Sequence, residues 1–89
     1  MKLPVKTRIL QYAIQRDNND FTTDDVLRTL QQEYPGERMI NQKQIQEYID
    51  SLVGVGFFKA TSIGFDEQHE LQLRYVVTDY GKSRQKYIH

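Results

Sequence analysis

Eighty-nine residues, 38% hydrophobic, 11% aromatic and 27% charged, suit one domain (1–89) around one core and exclude a disordered or fibrous chain. The absence of cysteine excludes a disulfide framework, a zinc ribbon and a thiol nucleophile. Net charge is zero, but residues 1–20 and 78–89 each carry +2 while 21–40 and 61–77 each carry −2. Whole-chain charge therefore gives no support for nucleic-acid binding, and only a folded patch could supply it. The opening MKLPVKTRILQYAIQRD has no apolar run long enough for a signal peptide or membrane span, so a soluble cytoplasmic protein is expected.

The first predicted element runs from Pro4 to about Arg16. Val5, Ile9 and Ala13, with Leu10 and Ile14, fall at spacings of three and four and make one wide apolar stripe. Pro4 suits a first helical position, and Asp17-Asn18-Asn19-Asp20 is a turn cluster. The second helix starts after Thr22, an N-cap answered by Asp25, with Phe21 and Val26 spaced as a hydrophobic staple. Val26, Leu27, Leu30 and Tyr34 form its inner face, and Pro35-Gly36 stops it. In the third helix Asn41 caps, Gln44 stands three residues on, and Ile40 can staple to Ile45. Ile45, Ile49, Leu52 and Val53 point inward, and Gly54 or Gly56 can take the left-handed turn that closes the helix.

The period then changes from helical to alternating. Phe57 to Phe65 and Glu70 to Val77 read as the arms of a β-hairpin, with Asp66-Glu67-Gln68-His69 as a polar turn. Ile63 and Phe65 share a face, as do Leu71, Leu73, Tyr75 and Val77. Ile63, Phe65, Leu71 and Leu73 lie far out on the arms. Packing on the first helix of the same chain is the simpler expectation, and burial against a second subunit or another protein is the alternative. Thr78 caps a last short helix, Asp79 sits in its first turn, and Gly81 permits a close approach to the rest of the fold. That helix is expected to pack through Tyr80, Tyr87 and Ile88, leaving Lys82 and Lys86 outside.

Two stretches carry a family resemblance. IQEYIDSLVGVGFFKA (45–60) runs spaced aliphatics into a Gly, two apolar residues and a Lys. YVVTDYGKSRQKYI (75–88) runs an apolar strand into Thr-x-x-Gly and a basic residue. In this order the chain resembles a winged helix-turn-helix domain of the kind found in bacterial and archaeal MarR and PadR regulators. The resemblance spans residues 4–88 and implies an α+β fold with a three-helix core, a C-terminal β-hairpin wing and a short final helix. The chain departs from the pattern in three ways, one being that it lacks the long terminal helices that many of these regulators use to dimerise. The turn from Pro35 to Ile40 is longer than a tight helix-turn-helix allows, and the wing tip carries Asp66 and Glu67 where a phosphate-touching wing carries Lys or Arg.

The resemblance implies a small transcription regulator that reads duplex DNA with the third helix (about 41–53) in the major groove, as a homodimer because one such helix offers little specificity alone. Its outward residues are Asn41, Gln42, Lys43, Gln46, Glu47 and Asp50, preceded by Arg38. Gln can pair with adenine, Lys can donate to guanine, Glu can accept from cytosine, and Arg38 and the first helical amides can meet phosphates. The same face also reads as ordinary solvated surface. Lys6, Arg8, Lys82 and Lys86 are candidate phosphate contacts if the first and last helices lie side by side, though terminal basic residues more often serve solubility. The alternative function is a protein-protein interaction module, suggested by the zero net charge, the acidic wing tip and the apolar arms.

Catalysis, a metal and a cofactor are not expected. His69 lies in a polar turn, His89 ends the chain, and neither has a partner at metal-ligand spacing. Gly54-x-Gly56 follows a helix rather than a strand, so it is not a nucleotide loop, and Ser51, Ser62 and Ser83 lack a nucleophile signature.

Overall fold

In the computed structural model, which describes residues 4–16, 19–38, 40–65 and 67–84, the apolar stripes become three helices. They are α1 (Val5–Arg16), α2 (Thr23–Glu33) and α3 (Gln42–Gly54). The strands β1 (Phe58–Phe65) and β2 (Leu71–Val77) follow, and α4 (Asp79–Ser83) comes last. Three helices, an antiparallel hairpin and a short helix are the order of a winged helix. Lys2, Asp66, Lys86, Tyr87 and Ile88 lie outside the described residues.

The helices α2, α3 and α4 begin where a side chain can satisfy one of the first free amides. At α2 a full capping box forms: Thr22 Oγ1 accepts from the Asp25 amide at 3.2 Å, and Asp25 Oδ2 accepts from the Thr22 amide at 3.0 Å. At α3 Asn41 Oδ1 accepts from the Gln44 amide at 3.0 Å, and its amide group donates to the Arg38 carbonyl at 2.8 Å. The end of α3 is a Schellman motif. Gly56, at φ 90°, donates to the Val53 carbonyl at 3.0 Å, and Phe57 donates to that of Leu52 at 2.9 Å. Gly56, not Gly54, is thus the left-handed residue.

Ile9, Leu10, Tyr12 and Ala13 of α1 meet Val26 and Leu30 of α2 and Ile45, Ile49 and Leu52 of α3 in one core. Phe21 stands at its centre. Its ring meets Tyr12 edge-on at 5.7 Å and Phe58 at 5.3 Å. Its backbone exchanges two hydrogen bonds with Tyr75, at 2.9 and 2.8 Å. A single residue thereby adds a third rung beside β2. The expected staple residue is a core anchor, and its strand character was unreadable because one residue has no period.

The hairpin pairs Phe58 with Val77 and Phe65 with Leu71, and a bulge between Ala60 and Ser62 shifts the register. At its base Tyr75 and Val77 enter the core. Farther out on the same face, Leu73 is 40% exposed, while Ile63, Phe65 and Leu71 are 67%, 71% and 72% exposed. The expected packing of these arms on the first helix does not occur. The core closes at Tyr75, and the arms run past it.

The last helix is held by Thr78, whose hydroxyl donates to the Gly56 carbonyl at 2.6 Å and accepts from the Gly81 amide at 3.0 Å. Contact is made through the buried Gly81 and also through Tyr80, which is 53% exposed but packs its ring on Phe57 with centroids 5.2 Å apart. A Cβ on Gly81 would run into the Phe57 carbonyl oxygen and come within 2.8 Å of Val77 Cγ2.

Candidate nucleic-acid interface

The inner face of α3 is sealed by Ile45, Ile49 and Leu52, which fixes what the other face shows. Asn41, Gln42, Lys43, Glu47 and Asp50 are exposed, and Arg38 is exposed just ahead of the cap. The first turn of α3 contains no acidic residue. The start of α2 differs, since Asp24 and Asp25 already set carboxylates beside its free amides. Of these two helix starts, the one at Asn41 keeps its positive end available to an anion.

Gln46 differs from the expected role. It is half-buried, and both ends of its amide are engaged. Its Oε1 accepts from the Thr23 hydroxyl at 2.6 Å, and its Nε2 donates to Asp50 Oδ1 at 2.9 Å and to the Tyr75 hydroxyl at 3.2 Å. The side chain is a strut joining α3 to the start of α2 and to β2. Asp50 takes part in the same network. Thr23 and Tyr75, which complete it, carry no local signal in the sequence because they lie 23 and 29 residues away.

Of the candidate phosphate contacts near the termini, Lys6 and Arg8 are engaged within the fold. α1 and α4 do touch. However, Lys6 Nζ donates to Ser51 Oγ at 2.8 Å, and Arg8 Nε pairs with Glu33 Oε1 at 3.1 Å with only 15% of the arginine side chain exposed. Arg8 thus joins α1 to the end of α2. Lys82 is half-buried. The candidate phosphate contact at Lys86 lies outside the described residues.

Beside α3, the wing is tied to α2. Gln72 Nε2 donates to Asp24 Oδ2 at 3.0 Å, and Arg74 pairs with Asp20 at 3.3 Å. Between wing and helix lies an open groove of about 510 Å³, lined by Leu27, Arg28, Phe65, Gln72 and Arg74 among others. Burial pushes the Asp25 carboxyl upward, but the Thr22 amide and hydroxyl and the Arg28 guanidinium outweigh it and hold the pKa below its ordinary value of 3.8. Among the described residues, no three His, Cys, Asp or Glu side chains are grouped to hold a metal, and no helix is long and apolar enough to cross a membrane.

The fold is that of a winged helix, with α3 as the third helix of its core. Among solved structures, that of a proposed transcriptional regulator from Thermoplasma acidophilum is similar, with a TM-score of 0.69. The likeness covers 89% of this chain and 70% of that one at 15% identity, so it establishes the fold rather than membership among MarR or PadR regulators. No family model and no curated protein matches the chain.

Proposed function

We propose that the protein is a small DNA-binding transcription regulator that lays α3 in the major groove. The observation that carries this reading is the contrast between the two sides of α3: apolar and sealed inside, polar and uncovered from Asn41 to Asp50 outside. Gln42 and Lys43, in the first turn, are the base-reading pair, suited to adenine and guanine edges. Glu47, one turn on, can accept from a cytosine amino group. Arg38 and the amides after Asn41 are the phosphate anchors. Gln46 acts indirectly by fixing the rotation of the helix.

The test is a mobility-shift titration of the full chain against random duplex DNA at two salt concentrations. A steep loss of affinity at the higher salt supports phosphate engagement despite the zero net charge. Absence of binding even at low salt overturns the reading. The second reading, a protein-binding module, is favoured by the exposed Ile63, Phe65 and Leu71.

A further inference from the structure

The apolar arms form one patch. Ile63 lies opposite Leu73 and Phe65 opposite Leu71, so four side chains merge on one face of the ribbon. At 40–72% exposure, and with ~150–250 Å² for a whole aromatic side chain, they offer on the order of 500 Å² of apolar surface. That is near the upper limit, about 300–600 Å², of what a monomer leaves in water. It also matches a specific requirement. A stable interface takes about 800 Å² from each partner, and homodimer interfaces are about 65% apolar, so each copy must supply about 500 Å² of apolar surface.

The match in area favours a second copy as the occupant. Glu67 and Glu70 stand at the wing tip, while Arg28 and Arg74 nearer its base are already paired with Asp25 and Asp20. A two-fold axis through the patch sets the same four side chains of the two copies against each other. DNA would instead bring phosphates toward Glu67 and Glu70 and leave the apolar surface wet. Edge-to-edge strand pairing is hindered by the bulge between Ala60 and Ser62, which interrupts the outer edge of β1. We propose that two copies of this chain associate face to face through their wings, with Phe65 and Leu71 at the centre of the contact. This wing-to-wing interface uses neither face of α3 and does not rest on the DNA-binding reading.

Sedimentation velocity of the full chain, without DNA and across a wide concentration range, reads the association directly. The expected result is a monomer–dimer equilibrium whose dissociation constant rises at least tenfold in Phe65→Asp and Leu71→Asp. Both sites are exposed, and an unchanged circular dichroism spectrum verifies that the variants fold. Because the chain lacks cysteine, a single thiol reports proximity without interference. Leu71→Cys forms a disulfide-linked dimer under a mild thiol oxidant, whereas Gln31→Cys, on the exposed end of α2, does not. A monomer at every concentration, undiminished dimerisation of the Asp variants, or equal cross-linking at both thiols overturns the proposal. A chain that dimerises but ignores DNA refutes only the regulator reading, and one that binds DNA as a monomer refutes only this one.

Discussion

The Gln46 amide nitrogen and the Tyr75 hydroxyl meet at 3.2 Å, across 29 residues of sequence, and join the outward helix to the inner strand of the wing. The same amide holds the Thr23 hydroxyl at 2.6 Å. Thr23 is 7% exposed and Tyr75 is 3% exposed, so neither hydroxyl has ready access to water if Gln46 is removed. Gln46→Ala should therefore cost about 1–3 kcal/mol, the usual penalty for stranding a buried polar group. The expected fall in Tm is about 4–8 °C per kcal/mol for a domain of this size, measured by thermal denaturation. An unchanged Tm would show that the strut adds nothing to stability.

Two glycines in the same molecule should respond to alanine with opposite sign. At Gly81 the new methyl group meets the Phe57 carbonyl oxygen and Val77 Cγ2, so α4 must move away from the strand or lose its cap at Thr78. A cost of about 1–3 kcal/mol is expected for such overpacking. At Gly54, inside α3, a methyl group meets nothing within 4 Å. There alanine should stabilise by about 0.5–1 kcal/mol, because glycine loses more backbone freedom on folding. Urea midpoints of the two variants test both directions at once.

The capping box at the start of α2 gives the stability a pH dependence. Burial opposes ionisation of Asp25, but the Thr22 amide, Arg28 and the Thr22 hydroxyl overcome it and lower the folded-state pKa below 3.8. A depressed carboxylate adds stability that is fully present above the unfolded-state pKa and is lost as pH falls through the folded-state value. Asp25→Asn should therefore be less stable than wild type at neutral pH, with the gap narrowing as pH drops below about 4. Thr22→Ala should cost about 1 kcal/mol through loss of the hydroxyl acceptor. Denaturant titrations at neutral and acid pH separate the two effects. A gap between Asp25→Asn and wild type that stays constant with pH contradicts the assignment.

The elements that could be read in advance are those held by local rules. The caps at Thr22, Asn41 and Thr78 use side chains that bond within three residues, so sequence spacing finds them. The three helical stripes and the alternating arms follow from period alone. What escaped is non-local. Phe21 pairs with Tyr75, Gln46 with Thr23, and Arg8 with Glu33, and each contact depends on a chain path that no window of residues contains. The outward side of α3 was legible because its inner side was. The commitment of Gln46 to other elements was not, since its place on the helix matches that of a free reader. The exposure of Ile63, Phe65 and Leu71 could be raised only as an alternative, because alternation records which residues share a face and not how far the core extends beneath it.

The charges on α3 make the DNA reading quantitative. Lys43 is exposed in the first turn, and Glu47 follows it by four residues on the same face. If phosphates line the groove on either side, Lys43→Ala should weaken binding to all sequences and reduce the slope of log affinity against log salt by about 1. Should Lys43 instead reach a base edge, the loss would fall on particular sequences, at about 1–3 kcal/mol per contact, with little change in slope. Glu47→Gln should strengthen binding to random duplex, because a carboxylate so close to the backbone repels it, and the gain should shrink as salt screens the repulsion. Fluorescence-anisotropy titrations of wild type and both variants at several salt concentrations distinguish these outcomes. If neither substitution alters affinity while wild type still binds, the DNA contact lies on another surface, and α3 is not the reading helix.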